Sequence, residues 1–123
     1  MLNFSNHSVK VWSKEQIDAA MLFDDGVQPM DAKIPTNVDP LAEPSDMATI
    51  ADAIINGMDF TKHNTAMIGT ELSLAIALLD RLTKVGVKCF VAATNYTMID
   101  RINPDRSCTM VSNSWFVKFR RIN

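Results

Sequence analysis

Cysteine is scarce in this chain: among 123 residues there are two, Cys89 and Cys108. Two isolated cysteines with no CxxC spacing make neither a disulfide framework nor a thiolate zinc cluster. Histidine is as scarce, with only His7 and His63, so no His/Cys metal site is legible and neither a metal nor another cofactor is expected. Charge of one sign is lacking too. Twelve Lys and Arg against 14 Asp and Glu leave a net charge of -2, without the basic excess that grips long DNA or RNA regardless of sequence. The longest apolar stretch, around residues 72–79, is interrupted by Ser73 and closed by Asp80. That is far short of the roughly 20 residues a membrane helix needs. No basic segment followed by an apolar run opens the chain, so no signal peptide is read. The cytoplasm, with both thiols reduced, is the expected compartment. The strings GxxxxGK[ST] and GxSxG do not occur, which argues against a P-loop and a hydrolase nucleophile elbow.

What is present is an ordinary globular composition, 47% hydrophobic and 21% charged, long enough for one domain spanning residues 1–123. Leu2-Asn3-Phe4 reads as a short first strand. Residues 13–23 read as a helix with Ile17, Ala20 and Met21 on its apolar face. Ser13-Lys14-Glu15-Gln16 reads as its capping box, and Asp24-Asp25-Gly26 stops it. Residues 27–34 allow a second short strand, which Pro29 confines to an edge. Three prolines (Pro35, Pro40 and Pro44) mark a crossover loop over 35–44. A helix follows from a Ser45 cap to about Met58. Thr65-Ala66-Met67-Ile68 is a buried type of strand ending at Gly69. Gly69 or Thr70 opens a Leu- and Ala-rich helix over 71–84, and residues 87–93 form the next strand, ending in Thr94-Asn95. This βαβ unit requires parallel strands. Residues 96–102, a turn at 103–106 and residues 108–122 read as a terminal β-hairpin that buries the face of Trp115, Val117 and Phe119. The fold class expected is α/β: a compact three-layer Rossmann-like sandwich with a mostly parallel sheet and a C-terminal hairpin.

In such a fold, ligands collect at the carboxyl ends of the strands. Those ends carry Ser5-Asn6-His7-Ser8, Gly69-Thr70-Glu71 and Thr94-Asn95-Tyr96, and all three segments are expected at one edge of the sheet. Glycine lets a ligand approach the backbone, and the first amides of a helix take phosphate oxygens. Histidine as a residue type changes charge near neutrality, so His7 is the candidate acid or base. His63, in the polar turn Thr61-Lys62-His63-Asn64, reads as a surface residue. Lys118-Phe119-Arg120-Arg121 is locally basic and suits either a guarded strand edge or a bound anion. Eight methionines read as core filler, and Cys89 as a small core residue.

Several strings occur together in order along nearly the whole chain. Asn3-Phe4-Ser5-Asn6-His7, followed by Trp12-Ser13 and Gln16, resembles the opening of a family of small CRISPR-associated proteins, in which an FS-x-H or NFSNH strand end precedes a WS-x-x-Q helix start. Ile68-Gly69-Thr70-Glu71 is similar to that family's strand ending in GE, here with Thr70 intervening. Val91-Ala92-Ala93-Thr94 resembles its following strand end. Phe116-Val117-Lys118-Phe119-Arg120-Arg121-Ile122 resembles its F-V-R-F-R-x-Y ending.

Members of this family look like ring nucleases of type III CRISPR systems, with a fold akin to domains that sense cyclic oligoadenylates. The resemblance implies a cyclic oligoadenylate ligand held across a homodimer, with no membrane and no long nucleic acid involved. It also implies metal-independent cleavage by attack of a ribose 2′-hydroxyl on the neighbouring phosphate. Carried over, the matched positions are Ser5, Asn6, His7, Gly69, Glu71, Thr94 and Arg120. His7 and Ser5 are the candidate catalytic residues. Asn6, Gly69, Thr70, Glu71, Thr94, Asn95 and Arg120 are the candidate ligand-binding ones. The family's arginine after the third strand falls near Thr97 here, and Tyr96 replaces its acidic neighbour. Loss of that cation weakens stabilisation of a phosphate unless Arg101 returns to the pocket. Two other readings stand beside cleavage: a binding-only sensor or sequestering protein, and a small α/β interaction subunit with no nucleotide role.

Overall fold

The computed structural model describes residues 1–35 and 37–123, with the side chains of all of these but Ile99, Val111 and Ser112. Strand β1 (Leu2–Ser5) leads through a single 3-10 turn (Val9–Val11) into helix α1 (Lys14–Phe23). Then follow β2 (Met30–Asp31), α2 (Pro44–Asn56), β3 (Thr65–Gly69), α3 (Leu72–Lys84), β4 (Lys88–Ile102) and β5 (Cys108–Arg121). The five strands form one sheet in the order β2-β1-β3-β4-β5. All neighbours are parallel except β4 and β5. This is the expected α/β sandwich. Among the described residues, no helix is long and apolar enough to cross a membrane.

Alternation along the strands sorts side chains to the two faces of the sheet. On one face, Leu2, Phe4, Ala66, Ile68 and Cys89 pack with Met47 and Ala51 of α2 and with Leu74, Leu78 and Leu82 of α3. Burial pushes the Cys89 thiol up to about 11, so it stays protonated and inert. On the other face Met67, Phe90 and Phe119 pack against Trp12 and Ala20 beside α1. Phe23 lies over Phe90, their ring centroids 4.6 Å apart.

The helix starts differ in part from expectation. Ser13 caps α1, accepting from the Gln16 amide at 3.2 Å, but no reciprocal bond from the Gln16 side chain is present among the described residues. The first residue of α2 is Pro44 and its cap is Glu43, not Ser45. Proline suits that position because the N–H it lacks has no helical partner there. The Glu43 amide donates instead to Asp46 Oδ2 at 2.8 Å. Thr36 of the expected proline-rich loop lies outside the described residues.

His63 is buried and not on the surface, 5% exposed. Its Nδ1 lies 2.9 Å from Asp24 Oδ2. Thr65 donates to Asp24 Oδ1 at 2.7 Å, and the Met1 amino group pairs with the same carboxylate. Asp24 thus gathers three donors at the amino end of the sheet, beneath the end of α1. Local polarity of the turn around His63 could not reveal a partner 39 residues away.

The largest departure lies in the C-terminal third. β4 does not end at Thr94-Asn95 but runs unbroken to Ile102, paired with β5 along its length. It pairs with β3 only from Lys88 to Phe90. The remainder of the β4–β5 hairpin is therefore a two-stranded ribbon that leaves the sheet. A bulge sits where the register jumps: Ala93 faces Lys118, and Thr94 faces Phe116. Val117 is the additional residue, and it reverses the alternation. Phe116 consequently joins Phe119 in the core, centroids 4.9 Å apart. Trp115 and Val117, expected on the buried face, are 45% and 55% exposed.

Candidate functional site

β1 and β3 stay paired to their last residues, Ser5 beside Gly69. β3 and β4 part after Met67 and Phe90. The wedge between them is a cleft of about 500 Å³, within the roughly 300–1,000 Å³ range of small-molecule sites. Met67, Ile68 and Gly69 form one wall, and Val91, Ala92 and Thr94 the other. Ser5 and His7 lie at the end of β1, and Val11, Trp12 and Gln16 close the side towards α1. Ile68 and Gly69 have no backbone partner on β4, so polar main-chain groups border the opening.

The loop after β1 is held from below. Asn3 points to the α1 face of the sheet and is 1% exposed. Its side-chain amide donates to the His7 carbonyl at 2.7 Å and to Asp31 Oδ1 at 2.8 Å. Its own oxygen accepts from the Ser5 hydroxyl at 2.6 Å. The indole N–H of Trp12 also donates to the His7 carbonyl, at 3.3 Å, and the His7 amide donates to Ser5 Oγ at 3.3 Å. Asp31 accepts from the Ser8 hydroxyl at 2.6 Å and from the Val9 amide at 2.9 Å. Desolvation opposes the ionised form of Asp31, but the bonds from Ser8, Val9 and Asn3 outweigh it and hold the carboxyl below its ordinary range. The His7 backbone is thereby fixed at both its N–H and its C=O, while its imidazole stays exposed at the cleft mouth.

Of the residues expected at the site, Ser5, His7, Gly69 and Thr94 line the cleft together. Ser5 reaches it with a hydroxyl that has acceptors in Asn3 Oδ1 at 2.6 Å and the His7 carbonyl at 3.1 Å, which suits positioning better than proton transfer. Asn6 is exposed beside the cleft, and its amide donates to the Gly69 carbonyl at 3.3 Å, closing the β1–β3 edge. Gly69 has a steric reason to be glycine: a Cβ there would lie 2.9 Å from Ser5 Cβ.

Like Asn6, the remaining four expected residues, Thr70, Glu71, Asn95 and Arg120, are not among those lining the cleft. Glu71, not Thr70, caps α3, accepting from the Ser73 and Leu74 amides at 3.1 and 3.2 Å. The bonds from Ser73 and Leu74 hold its carboxyl below the ordinary range. The helix amides expected to take a phosphate are thus already occupied by an anion. Asn95 is in mid-strand, its side chain accepting from the Tyr96 amide at 3.1 Å. Arg120 neighbours inward-facing Phe119, so alternation places it on the opposite face from the core beside α1. Arg101 does not return to its own pocket, because β4 carries it about 24 Å beyond Thr94 at roughly 3.4 Å per residue.

Asn3, Asp31 and Gln16 are the residues that site reading from sequence missed. Asn3 had a signal: an amide between Leu2 and Phe4, in a strand covered on both faces, is buried and needs partners. Asp31 had none, since β2 is too short for pattern to find. Gln16 was assigned to a cap, yet its side chain lines the cleft and makes no hydrogen bond among the described residues. Among the described residues, no lysine or arginine lines the cleft. Among the described residues, no group of three or more His, Cys, Asp and Glu is placed to hold a metal ion.

No curated protein and no solved structure matches the chain. The family model described as "Uncharacterized protein MJ1673 family" matches residues 1–120, and the chain belongs to that family.

Proposed function

We propose that the protein binds a cyclic oligoadenylate in the β3–β4 cleft and cleaves it, as a CRISPR-associated ring nuclease acting as a homodimer in the cytoplasm. The observation that supports this most is the placement of His7. Its imidazole is exposed at the mouth of a cleft at the carboxyl ends of parallel strands, on a loop whose backbone is pinned by Asn3, Ser5 and Trp12. That is a preorganised acid or base in the position where open α/β sheets bind ligands.

In the proposed step, the 2′-oxygen of one ribose bonds to the adjacent phosphorus and the P–O5′ bond breaks. The 2′-hydroxyl loses its proton and the departing 5′-oxygen gains one, so no water, metal or cofactor is consumed. His7 handles one of these protons. The main-chain groups at the end of β3 and along β4 from Val91 to Thr94, the Gln16 amide and the Thr94 hydroxyl hold the phosphate and ribose. Ser5 keeps the His7 loop in register. Binding without cleavage is a second reading, favoured because, among the described residues, no cationic side chain lines the cleft.

Incubation with cyclic tetra-adenylate, and separately with other ring sizes, followed by chromatography of the products, tests the proposal. Linear products ending in a 2′,3′-cyclic phosphate are expected, with turnover lost in His7→Ala. A thermal upshift without products assigns the binding-only reading. Neither shift nor products at saturating ligand leaves the interaction-subunit reading.

A further inference from the structure

We infer that a groove adjoining the cleft is a base subsite: it seats an adenine ring on Phe116 and reads the 6-amino group through Glu15. This inference rests on the nucleotide reading above. A cyclic oligonucleotide carries a nucleotide on each side of every phosphate, so a phosphate held beside His7 needs room for a neighbouring base. The cleft of about 500 Å³ adjoins a second cavity of about 560 Å³, and Val11, Gln16 and Thr94 line both. Each volume lies within the range of small-molecule sites. The two spaces meet along the border that these three residues form.

Beyond that border the lining changes character. The second cavity lies between the start of α1, with Ser13 and Glu15, and the root of the β4–β5 ribbon, with Ser114 and Phe116. Thr94 pairs with Phe116 across the ribbon, and Phe116 packs against the core beside α1. Alternation puts Ser114 on that same side and Asn113 on the opposite one. Phe116 is half-buried, and Phe119 braces it with ring centroids 4.9 Å apart. A braced aromatic ring that lines a cavity is a platform on which a base can stack.

Among the described residues, Glu15 is the only charged one lining this cavity. Its carboxylate makes no hydrogen bond or ion pair among the described residues, and the adjacent Lys14 is paired with Asp18 instead. A carboxylate accepts hydrogen bonds and repels phosphate. The group that fits beside it is a neutral ring that donates, and adenine donates through its 6-amino group. The ligand is thereby divided between the two spaces. Its phosphate stays on the His7 side, its ribose crosses the border at Gln16 and Thr94, and its base enters the groove.

Calorimetric titration of the full chain with two cyclic tetranucleotides tests the subsite. Both carry fluorine in place of the 2′-hydroxyl, so the proposed cleavage cannot occur. One bears adenine and the other unsubstituted purine, which lacks only the 6-amino group. The adenine ligand is expected to bind at least about tenfold more tightly, the scale of one hydrogen bond to a charged group. In Glu15→Ala the preference should shrink to within about twofold, because the acceptor is gone. Removing a carboxylate also eases repulsion of the phosphates, so the ratio of the two affinities decides, not either one alone.

Ser114→Trp, which fills the groove, should weaken binding of the adenine ligand at least about tenfold, the scale of losing one stacked base. Asn113→Trp, on the opposite face of the ribbon, is the control and should bind as wild type does. Equal binding of the two ligands by wild type overturns the base subsite and leaves the proposed function standing. So does an adenine preference that persists in Glu15→Ala, or full affinity in Ser114→Trp. A protein that neither binds nor cleaves cyclic tetra-adenylate overturns the nucleotide reading and the subsite together. If Ser114→Trp fails to fold, the Glu15 ratio still decides.

Discussion

Gly69→Ala isolates the close approach on which the cleft depends. The new Cβ would lie 2.9 Å from Ser5 Cβ and 3.6 Å from Met67 Sδ. The methionine end can move aside. Ser5 cannot move freely, since it is bonded to Asn3 and to the His7 amide. Gly69 is not among the residues with positive φ, so alanine suffers no backbone penalty and the whole cost is steric. Overpacking a tight site costs about 1–3 kcal/mol. With an unfolding entropy near 2.1 cal/mol/K per residue, a chain of this length loses roughly 4 °C of Tm per kcal/mol, so a fall of about 4–12 °C is expected. Differential scanning calorimetry measures it. Two-dimensional NMR should show the displacement passing through Ser5 to the side-chain amide of Asn3 and the backbone amide of His7. Gly86→Ala is the control: its φ of 82° strains alanine while nothing lies within 4 Å of the added carbon. It should lower Tm without moving the His7 signals. A Gly69→Ala protein within about 2 °C of wild type, with an unshifted His7 amide, would refute the claim that β1 and β3 meet this closely.

Asn3→Leu keeps the volume but leaves the Ser5 hydroxyl, the His7 carbonyl and Asp31 without their shared partner; a loss of about 2–4 kcal/mol is expected in urea titration, and a loss under 1 kcal/mol would contradict the network. Asp24 has its folded pKa lowered: desolvation works against the shift, but the bonds from the Met1 amine, Thr65 and His63 outweigh it. A carboxyl with a lowered folded pKa contributes stability that is fully present above its unfolded value, about 3.9, and is lost as pH falls through the folded one. Urea titrations from pH 6 to pH 2.5 should therefore show stability falling below about pH 4, with a shallower fall in Asp24→Asn; equal slopes would show that Asp24 ionises alike in both states. At pH 6 the same variant should be less stable by about 3–5 kcal/mol, the cost of breaking a buried pair. Phe119→Ala removes the ring that touches Trp12, Phe23, Phe90 and Phe116; a loss of about 3–5 kcal/mol is expected, read by the same titration.

Local pattern carried the parts of the fold that local physics decides. The stripe of Ile17, Ala20 and Met21, the Ser13 cap and the Gly26 stop define α1 within the chain itself. The βαβ unit from β3 to β4 is legible because its helix and strands differ in period. The placement of Ser5, His7 and Gly69 at the ends of β1 and β3 follows from parallel topology, and these three meet Thr94 of β4 in the cleft. What failed were statements that depend on a partner distant in sequence. His63 resembled a surface residue until Asp24 and Thr65 were folded beside it. Thr94-Asn95 resembled a strand end because polar residues there are ambiguous, and only the pairing of β4 with β5 decides that the strand continues.

Composition, hydrophobic period and turn chemistry by themselves determined an α/β sandwich with a polar rim at the ends of its strands, since each acts over a few residues. The tertiary structure alone decided which rim residues share one space. Val117 bulges and sends Trp115 outward. Glu71 occupies the helix amides that a phosphate could have used. Asn3, itself bonded to Asp31 of the neighbouring strand, fixes the His7 carbonyl. β4 leaves β3 after Phe90 and opens the cleft. Each outcome is a competition between groups far apart in the chain for one volume or one hydrogen bond, and such competition is settled only when the chain is folded.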